Sequence, residues 1–492
     1  ARALGGSRRS AVMAAWLVVF AGTPDGWRQL AAGTSLAAID LWGSSRAIAG
    51  AITEFPLFTF QLGDLHPHVL SVPLMLVVIL LACRLRVAGG RPQAVLVLCG
   101  LLYGAAAAAN PWCALPVGLA VLLAAIAGEE RLSWPTGAGL EPWLRAAAVG
   151  ALGVVLFLPF WLAYRAPVTR LGLVSTPSRW DELCLFMGGV LVPPLLLAWG
   201  LSWRLGGFDP RRRQLLRALW LASMTGLAAA SGRVALALAL GTGVVLAAGV
   251  AGGGHRRARP AWAVALAPLF LIGAMELVYV RDPYGAELYR MNTVFKTSHI
   301  AFTLLAVVGP VLLGWLRRRR PIVAGIAAVV LLTAGLPHFL ALALRCGPPP
   351  AAGWSGLEWM RKEAEVARWL HRRPAGEALV EGVGDAYSEA ARMASASGVP
   401  AALGWENHER VWRWGGDLGE LSRRRALVEE LYRCGSAARV REIASELRVQ
   451  LIVLGAVERR LYGEDGLAAV RQAGRVAYAV AGCEIVCVDG VS

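Results

Sequence analysis

The chain has 492 residues, of which 57% are hydrophobic and only 17% charged, and its mean hydropathy is +0.54. A soluble core of this size cannot hide that much apolar surface, so part of the solvent is lipid; a cytosolic globular enzyme, a disordered chain and a collagen are excluded. The net charge of +16 resides in the first 344 residues, with 29 basic against 13 acidic side chains, whereas 345–492 carries 20 of each. Basic residues interleaved with apolar spans make no continuous phosphate-facing surface, so nucleic acid is not an expected partner. The eight cysteines are scattered without a CxxC pair, which gives neither a disulfide framework nor zinc-finger spacing.

The chain opens on Ala1 in a basic stretch (Arg2, Arg8, Arg9) without a recognisable signal peptide, and further membrane helices are expected upstream. A helix needs about 20 apolar residues to cross the hydrocarbon. Segments near that length run over 69–88, 93–110, 113–128, 144–164, 183–203, 214–231, 234–251, 261–280, 297–316 and 321–343, and a shorter one over 11–22. The expected fold is therefore a polytopic α-helical membrane protein of about ten or eleven transmembrane helices over 1–344. Positive loops stay cytoplasmic, and the arginine clusters at 84–91, 204–217, 256–259 and 317–320 all fall on alternate loops. The intervening loops and the tail are then extracytoplasmic, and the plasma membrane is the expected location.

Three polar islands lie on that outer side. The first is Glu54 followed by Gly63-Asp64-Leu65-His66-Pro67-His68, just before a span. Carboxylate oxygens with one imidazole suit Mg²⁺ or Mn²⁺, so Asp64, His66 and His68 are candidate ligands of a divalent metal. Glu54 and Asp64 are candidate catalytic bases. Pro67 is expected to turn His68 away from the Asp64–His66 pair. The bland alternative is interfacial decoration with turns set by proline.

The second island starts inside an apolar span with Glu276 and continues through Tyr279, Asp282, Arg290, Asn292 and Lys296. An intramembrane carboxylate needs a partner or a task, so Glu276 and Asp282 are candidate catalytic acids. Arg290 and Lys296 are candidate phosphate ligands, with Asn292 and Tyr279 as further substrate contacts. Lys296 is one of only two lysines in an arginine-rich chain. A structural salt-bridge cluster is the competing reading.

After Gly347-Pro348-Pro349-Pro350 the composition changes to that of a separate soluble α/β domain over 345–492, expected on the extracytoplasmic face. Strands are expected at 377–381, 399–404, 450–454, 475–480 and 483–488, spaced by helices at 354–373, 386–396, 418–433, 436–448 and 465–473. The third island lies here: Trp405, Glu406, His408, Trp412 and Arg413 alternate rings with polar groups, as a carbohydrate-facing surface does. A weaker cluster, Glu381, Asp385 and Tyr387, sits at a strand end, where a helix cap is the simpler reading.

The run ITEFPLFTFQLGDLHPHVLSVP, from Ile52 to Pro73, closely resembles the signature of the Chlor_Arch_YYY proteins, uncharacterised and highly hydrophobic membrane proteins of archaea and Chloroflexi. ELVYVRDPYGAELYRMNTVFK, GWENHERVWRWG and VQLIVLGAVERRLY look like later landmarks of the same family. The tyrosine triplet behind that name does not occur in this chain. The family's architecture looks like that of GT-C glycosyltransferases, which take sugars from polyprenyl-phosphate carriers. Asp64-Leu65-His66 is similar in type to the Asp-x-His metal pair of the archaeal oligosaccharyltransferase branch. The resemblance thus implies a membrane glycosyltransferase with a polyprenyl-phosphate-linked sugar as its partner. The alternative is a transporter or flippase for an anionic or lipid-linked substrate, with Glu276, Asp282 and the histidines as proton carriers.

Overall fold

A computed structural model describes residues 1–63, 66–85, 92–127, 140–166, 170–201, 210–222, 233–251, 259–281, 287–346, 360, 363–386, 388–413 and 417–488. The chain divides into two compact units, residues 1–164 with 168–347, and 165–167 with 348–492.

The first unit is helical. Its helices are α1 (Arg8–Phe20), α2 (Asp25–Ala31), α3 (Leu41–Ser44), α4 (Pro56–Leu62), α5 (Pro67–Arg84), α6 (Pro92–Ala109), α7 (Ala114–Ile126), α8 (Glu141–Leu156) and α9 (Leu158–Ala163). They continue as α10 (Trp180–Gly200), α11 (Pro210–Ala222), α12 (Val234–Ala251), α13 (Arg259–Ala274), α14 (Met291–Arg317), α15 (Pro321–Thr333) and α16 (Leu336–Arg345). Among the described residues, four stretches are long and apolar enough to cross a membrane: Pro67–Arg84, Trp180–Gly200, Met291–Arg317 and Pro321–Arg345. Four shorter apolar helices lie at Gln93–Ala109, Pro111–Ile126, Val234–Val250 and Arg259–Ala274. The expected span over 144–164 is broken at Phe157, because Pro159 lies in the first turn of α9 and its ring cannot continue the preceding helix.

Helix α14 is the axis of this unit. Its 27 residues are packed by α1, α10, α13 and α15, and most of its membrane-length window is buried. A helix buried along most of its length is held by neighbours on several sides. Two short strands, β1 (Arg170–Leu173) and β2 (Val278–Arg281), pair antiparallel beside its N-terminus, with Gly172 opposite Tyr279. A Cβ at position 172 would lie 2.4 Å from the Tyr279 ring, so glycine is what lets the two strands close.

The second unit is an α/β layer. It contains α17 (Ala364–His371), β3 (Leu379–Val380), α18 (Arg392–Ser397), α19 (Glu406–Trp412), α20 (Leu418–Arg433), α21 (Ala437–Leu447), β4 (Leu451–Leu454), α22 (Ala456–Ala473), β5 (Arg475–Val480) and β6 (Cys483–Cys487). The sheet order is β3-β4-β6-β5, with β3 parallel to β4 and the other pairs antiparallel. Alternate residues serve opposite faces, as the period of two requires. Val380, Ile452, Leu454 and Val486 pack with Leu431, Val440 and Val470, while Leu379, Leu451, Val453 and Ile485 pack with Val366, Ala367 and Met393.

Candidate functional site

Pro67 fixes the start of α5: its ring presets the helical φ and its missing N–H needs no partner there, which leaves His66 as the extended N-cap. The helix turn then brings the two imidazoles together rather than apart, with ring centroids 4.8 Å from each other. The expectation that Pro67 turns His68 away is thereby corrected. His68 points inward, and its Nε2 lies 3.0 Å from Glu54 Oε2. A carboxylate only accepts, so Nε2 donates and the lone pair of a neutral ring falls on Nδ1. Thr59 Oγ1 donates to the same Glu54 oxygen at 3.1 Å.

The other wall of this site comes from α14. His299 stands edge-on to His68 with ring centroids 4.7 Å apart, and Phe295 packs against the His68 ring at 4.8 Å. Lys296 lies over the Phe295 ring at 3.9 Å and is within electrostatic reach of His68. The Nδ1 atoms of both His68 and His299 are buried without a hydrogen-bond partner. A buried polar atom without a partner costs about 1–3 kcal/mol, and these two lie side by side; His338 Nδ1 is a third such imidazole atom, away from this site. His299 also lines a small pocket with Thr59, Thr303, Val18, Val69 and Val72. Among the described residues, no three His, Cys, Asp or Glu side chains are grouped to hold a metal. Asp64 lies outside the described residues.

The second island folds differently. Glu276 is fully buried at the end of α13 and accepts from Ser178 N at 2.8 Å and Ser178 Oγ at 2.6 Å. Arg290 is buried as well; it lies 3.4 Å from Glu276 Oε1 and donates to Ser178 Oγ at 3.0 Å. Arg233 donates to the backbone carbonyls of Glu276 and Val174. Tyr279 is buried against Tyr289 at 4.6 Å, whose hydroxyl bonds Thr176. Val280 N donates to Thr293 Oγ1, tying β2 to α14. Asn292 is half-buried in the first turn of α14. Glu276 and Arg290 thus form a closed knot, and Asp282 lies outside the described residues.

In the second unit, Trp405 donates its indole N–H to Ala390 O at 2.9 Å and meets the His408 ring edge-on at 5.3 Å. Glu406 is held by Arg410 and Arg425, which together outweigh the burial that would raise its pKa and keep it below the usual carboxylate range. Arg413 pairs with Glu409 at 2.8 Å. The Trp412 side chain is outside what is described, as is Tyr387, and Asp385 is exposed. Glu381 is buried and caps α18 by accepting from Met393 N and Ala394 N, as the capping reading expects. Arg392 reaches Glu363 at 2.8 Å, Glu458 at 3.0 Å and Glu381 at 3.8 Å. Burial pushes the Glu381 carboxyl up to about 7, with Glu458 adding repulsion and the two backbone donors and Arg392 opposing.

One cluster had no signal in the sequence reading. Asp25 Oδ2 accepts from Ser44 Oγ at 2.7 Å and from Gln29 Nε2 at 2.9 Å, and His338 Nε2 lies 2.8 Å from the same hydroxyl. Burial pushes the Asp25 carboxyl up, but the bonds from Arg28, Ser44 and Gln29 outweigh it and hold it below the usual range. Beside it, Gly22 and Gly335 touch backbone to backbone, and Trp27 Nε1 donates to Thr333 O at 2.8 Å. The partners are up to 294 residues apart, which is why pattern reading along the chain does not find them.

Residues 1–305 match the model of an uncharacterized membrane protein family, DUF2298, and the chain belongs to that family. No curated protein matches it. Among solved structures, it is similar to the archaeal oligosaccharyltransferase AglB from Archaeoglobus fulgidus in complex with an inhibitory peptide and a dolichol-phosphate, at 12% identity and a TM-score of 0.35. That match covers 82% of this chain but only 55% of AglB, so the chain spans about half the length of that protein.

Proposed function

We propose that this member of the DUF2298 membrane family is a glycosyltransferase of GT-C type, moving a sugar from a polyprenyl-phosphate donor to an acceptor hydroxyl on the extracytoplasmic side of the plasma membrane. The observation that carries it is the juxtaposition of the Glu54–His68 pair with Lys296 near the N-terminal ends of α5 and α14. The acceptor hydroxyl gives its proton to a base of this site, and its oxygen bonds the sugar's anomeric carbon. The bond from that carbon to the phosphate oxygen breaks, and the polyprenyl phosphate leaves with its electron pair. Lys296 neutralises the departing charge as a point cation. Arg290, turned inward onto Glu276, acts by holding the start of α14, and so the position of Lys296, against the rest of the unit. A divalent ion would be held by Asp64, His66 and His68 and would supply Lewis-acid charge at the phosphate. Trp405, Glu406, His408, Trp412 and Arg413 hold sugar in the second unit.

Purified protein is incubated with a polyprenyl-phosphate sugar, and released polyprenyl phosphate is measured. Turnover that falls at least tenfold in Lys296→Ala and in Glu54→Gln supports the reading. No turnover with any common donor, together with proton-coupled uptake into vesicles, replaces it with the transporter. That rival draws no support from Glu276, its intended proton carrier, which is closed in an ion pair. The topology is tested by cysteine labelling from outside: Gln61→Cys should react and Arg319→Cys should not.

A further inference from the structure

We infer that the β1–β2 ribbon is a membrane-surface anchor: its outward apolar face seats at the boundary of headgroups and acyl chains, and Arg170 and Arg281 take the phosphates of anionic lipids. The register makes the two faces of the ribbon unlike. Leu171 pairs with Val280 and Leu173 with Val278 on one face, while Arg170 pairs with Arg281 and Gly172 with Tyr279 on the other. The Tyr279 ring is buried against Tyr289, so its face is the one turned towards the helices. The aliphatic face therefore points away from the unit, with Leu171 73%, Leu173 81% and Val278 38% exposed. A strand pair with one face in water turns its polar side chains outward. This one turns out its leucines, as a surface that meets lipid does.

Continuity with the lipid-facing helices names the occupant. β1 lies between α9, which ends in the contacting rings of Phe160, Trp161 and Tyr164, and α10, a membrane-length helix whose first residue, Trp180, is exposed. Aromatic residues at helix ends mark the membrane–water boundary. β2 joins the C-terminal end of α13 to the N-terminal end of α14 and, being paired with β1, shares that level. The base of the ribbon is fixed, because Val174 N donates to Leu277 O and Ser178 is bonded to Glu276. With the leucines towards the acyl chains, the exposed Arg170 and Arg281 lie on the opposite face, at headgroup level. Like charges directly opposite each other on a strand pair repel. A lipid phosphate over the two removes that repulsion and accepts charge-assisted hydrogen bonds from both. The inference rests on the membrane placement of the first unit and not on sugar transfer.

The test places the photo-crosslinking residue p-benzoylphenylalanine at Leu171 or at Leu173 of the full chain. Each variant is put into nanodiscs of phosphatidylcholine and phosphatidylglycerol in equal parts, illuminated, and read by mass spectrometry. Both positions should give phospholipid adducts, with phosphatidylglycerol favoured about fivefold, the preference that one arginine near an anionic surface supplies. Adding Arg170→Gln and Arg281→Gln should bring the two lipids towards parity while the adducts persist. Adducts to a second copy or to another segment of this chain overturn the inference, as does the absence of lipid adducts in protein that melts like wild type. An undiminished phosphatidylglycerol preference in the double arginine variant overturns the phosphate seat. Where a variant at Leu171 or Leu173 does not fold, the probe moves to Val278 on the same face, and the same outcomes decide.

Discussion

Two buried ionic clusters sit against the same helix, α14, and they are built to opposite ends. At Glu276–Ser178–Arg290, carboxylate, hydroxyl and guanidinium satisfy one another and exclude solvent. At Glu54–His68–His299, one nitrogen of each imidazole is left over. A closed cluster gains nothing from a ligand, because every charge already has its partner. An open one gains what it lacks. Ionisable residues in both islands look alike in the sequence, and only the inventory of donors and acceptors separates scaffold from site.

The sharpest break is to open the closed cluster. Arg290→Ala strands a buried carboxylate and should cost about 3–5 kcal/mol, seen as a large drop in melting temperature in detergent. Arg290→Ala with Glu276→Leu should recover part of that loss, and an unchanged melt for the single variant would show that the knot is not holding the fold. Gly172→Ala tests the same region without touching charge: its Cβ meets the Tyr279 ring, and the expected cost is about 1–3 kcal/mol, relieved by Tyr279→Ala.

The second unit offers an intermediate case. Glu381 is buried beside an arginine yet titrates near neutrality, at about 7. Its folded-state pKa is raised, so its contribution to stability is present below the unfolded carboxylate range and is lost as pH rises towards 7. Hydrogen exchange at β3 and β4 should therefore quicken between pH 5 and 7, and that slope should shrink in Glu381→Gln. The smallest effect on stability belongs to the open cluster. Glu54→Gln keeps volume and an acceptor for His68, so the melt should fall by less than about 1 kcal/mol. Sugar transfer should fall far more. A stability loss as large as that of Arg290→Ala would make Glu54 scaffold.

Much of this was legible in the sequence for a reason that can be named. Apolar runs and proline punctuation locate helices, so the segments expected at 183–203 and 297–316 are found as long apolar helices, and that at 321–343 as an apolar stretch bent between α15 and α16. The strands expected at 475–480 and 483–488 are found as β5 and β6 within a residue. The break at Phe157 was present as Pro159 but was outweighed by hydropathy. At the site, Glu54, His68 and Lys296 stood out because charge beside lipid is expensive. His299 did not: a lone histidine between Ser298 and Ile300 in a hydrophobic helix carries no local signal, and its relation to His68 spans 231 positions. Asp25 was missed for the same reason, since Ser44 and His338 supply its meaning from elsewhere.

The glycine contact between residues 22 and 335 has a mechanical consequence. With no side chain on either, the turn after α1 and the bend before α16 are in van der Waals register, and Trp27 and Arg345 add hydrogen bonds to Thr333, Ala37 and Ile39 across the seam. Early and late segments of the helical unit are therefore clasped at that seam. After a protease cut in a loop between the two segments, the fragments should migrate together in mild detergent until heat or denaturant breaks the clasp.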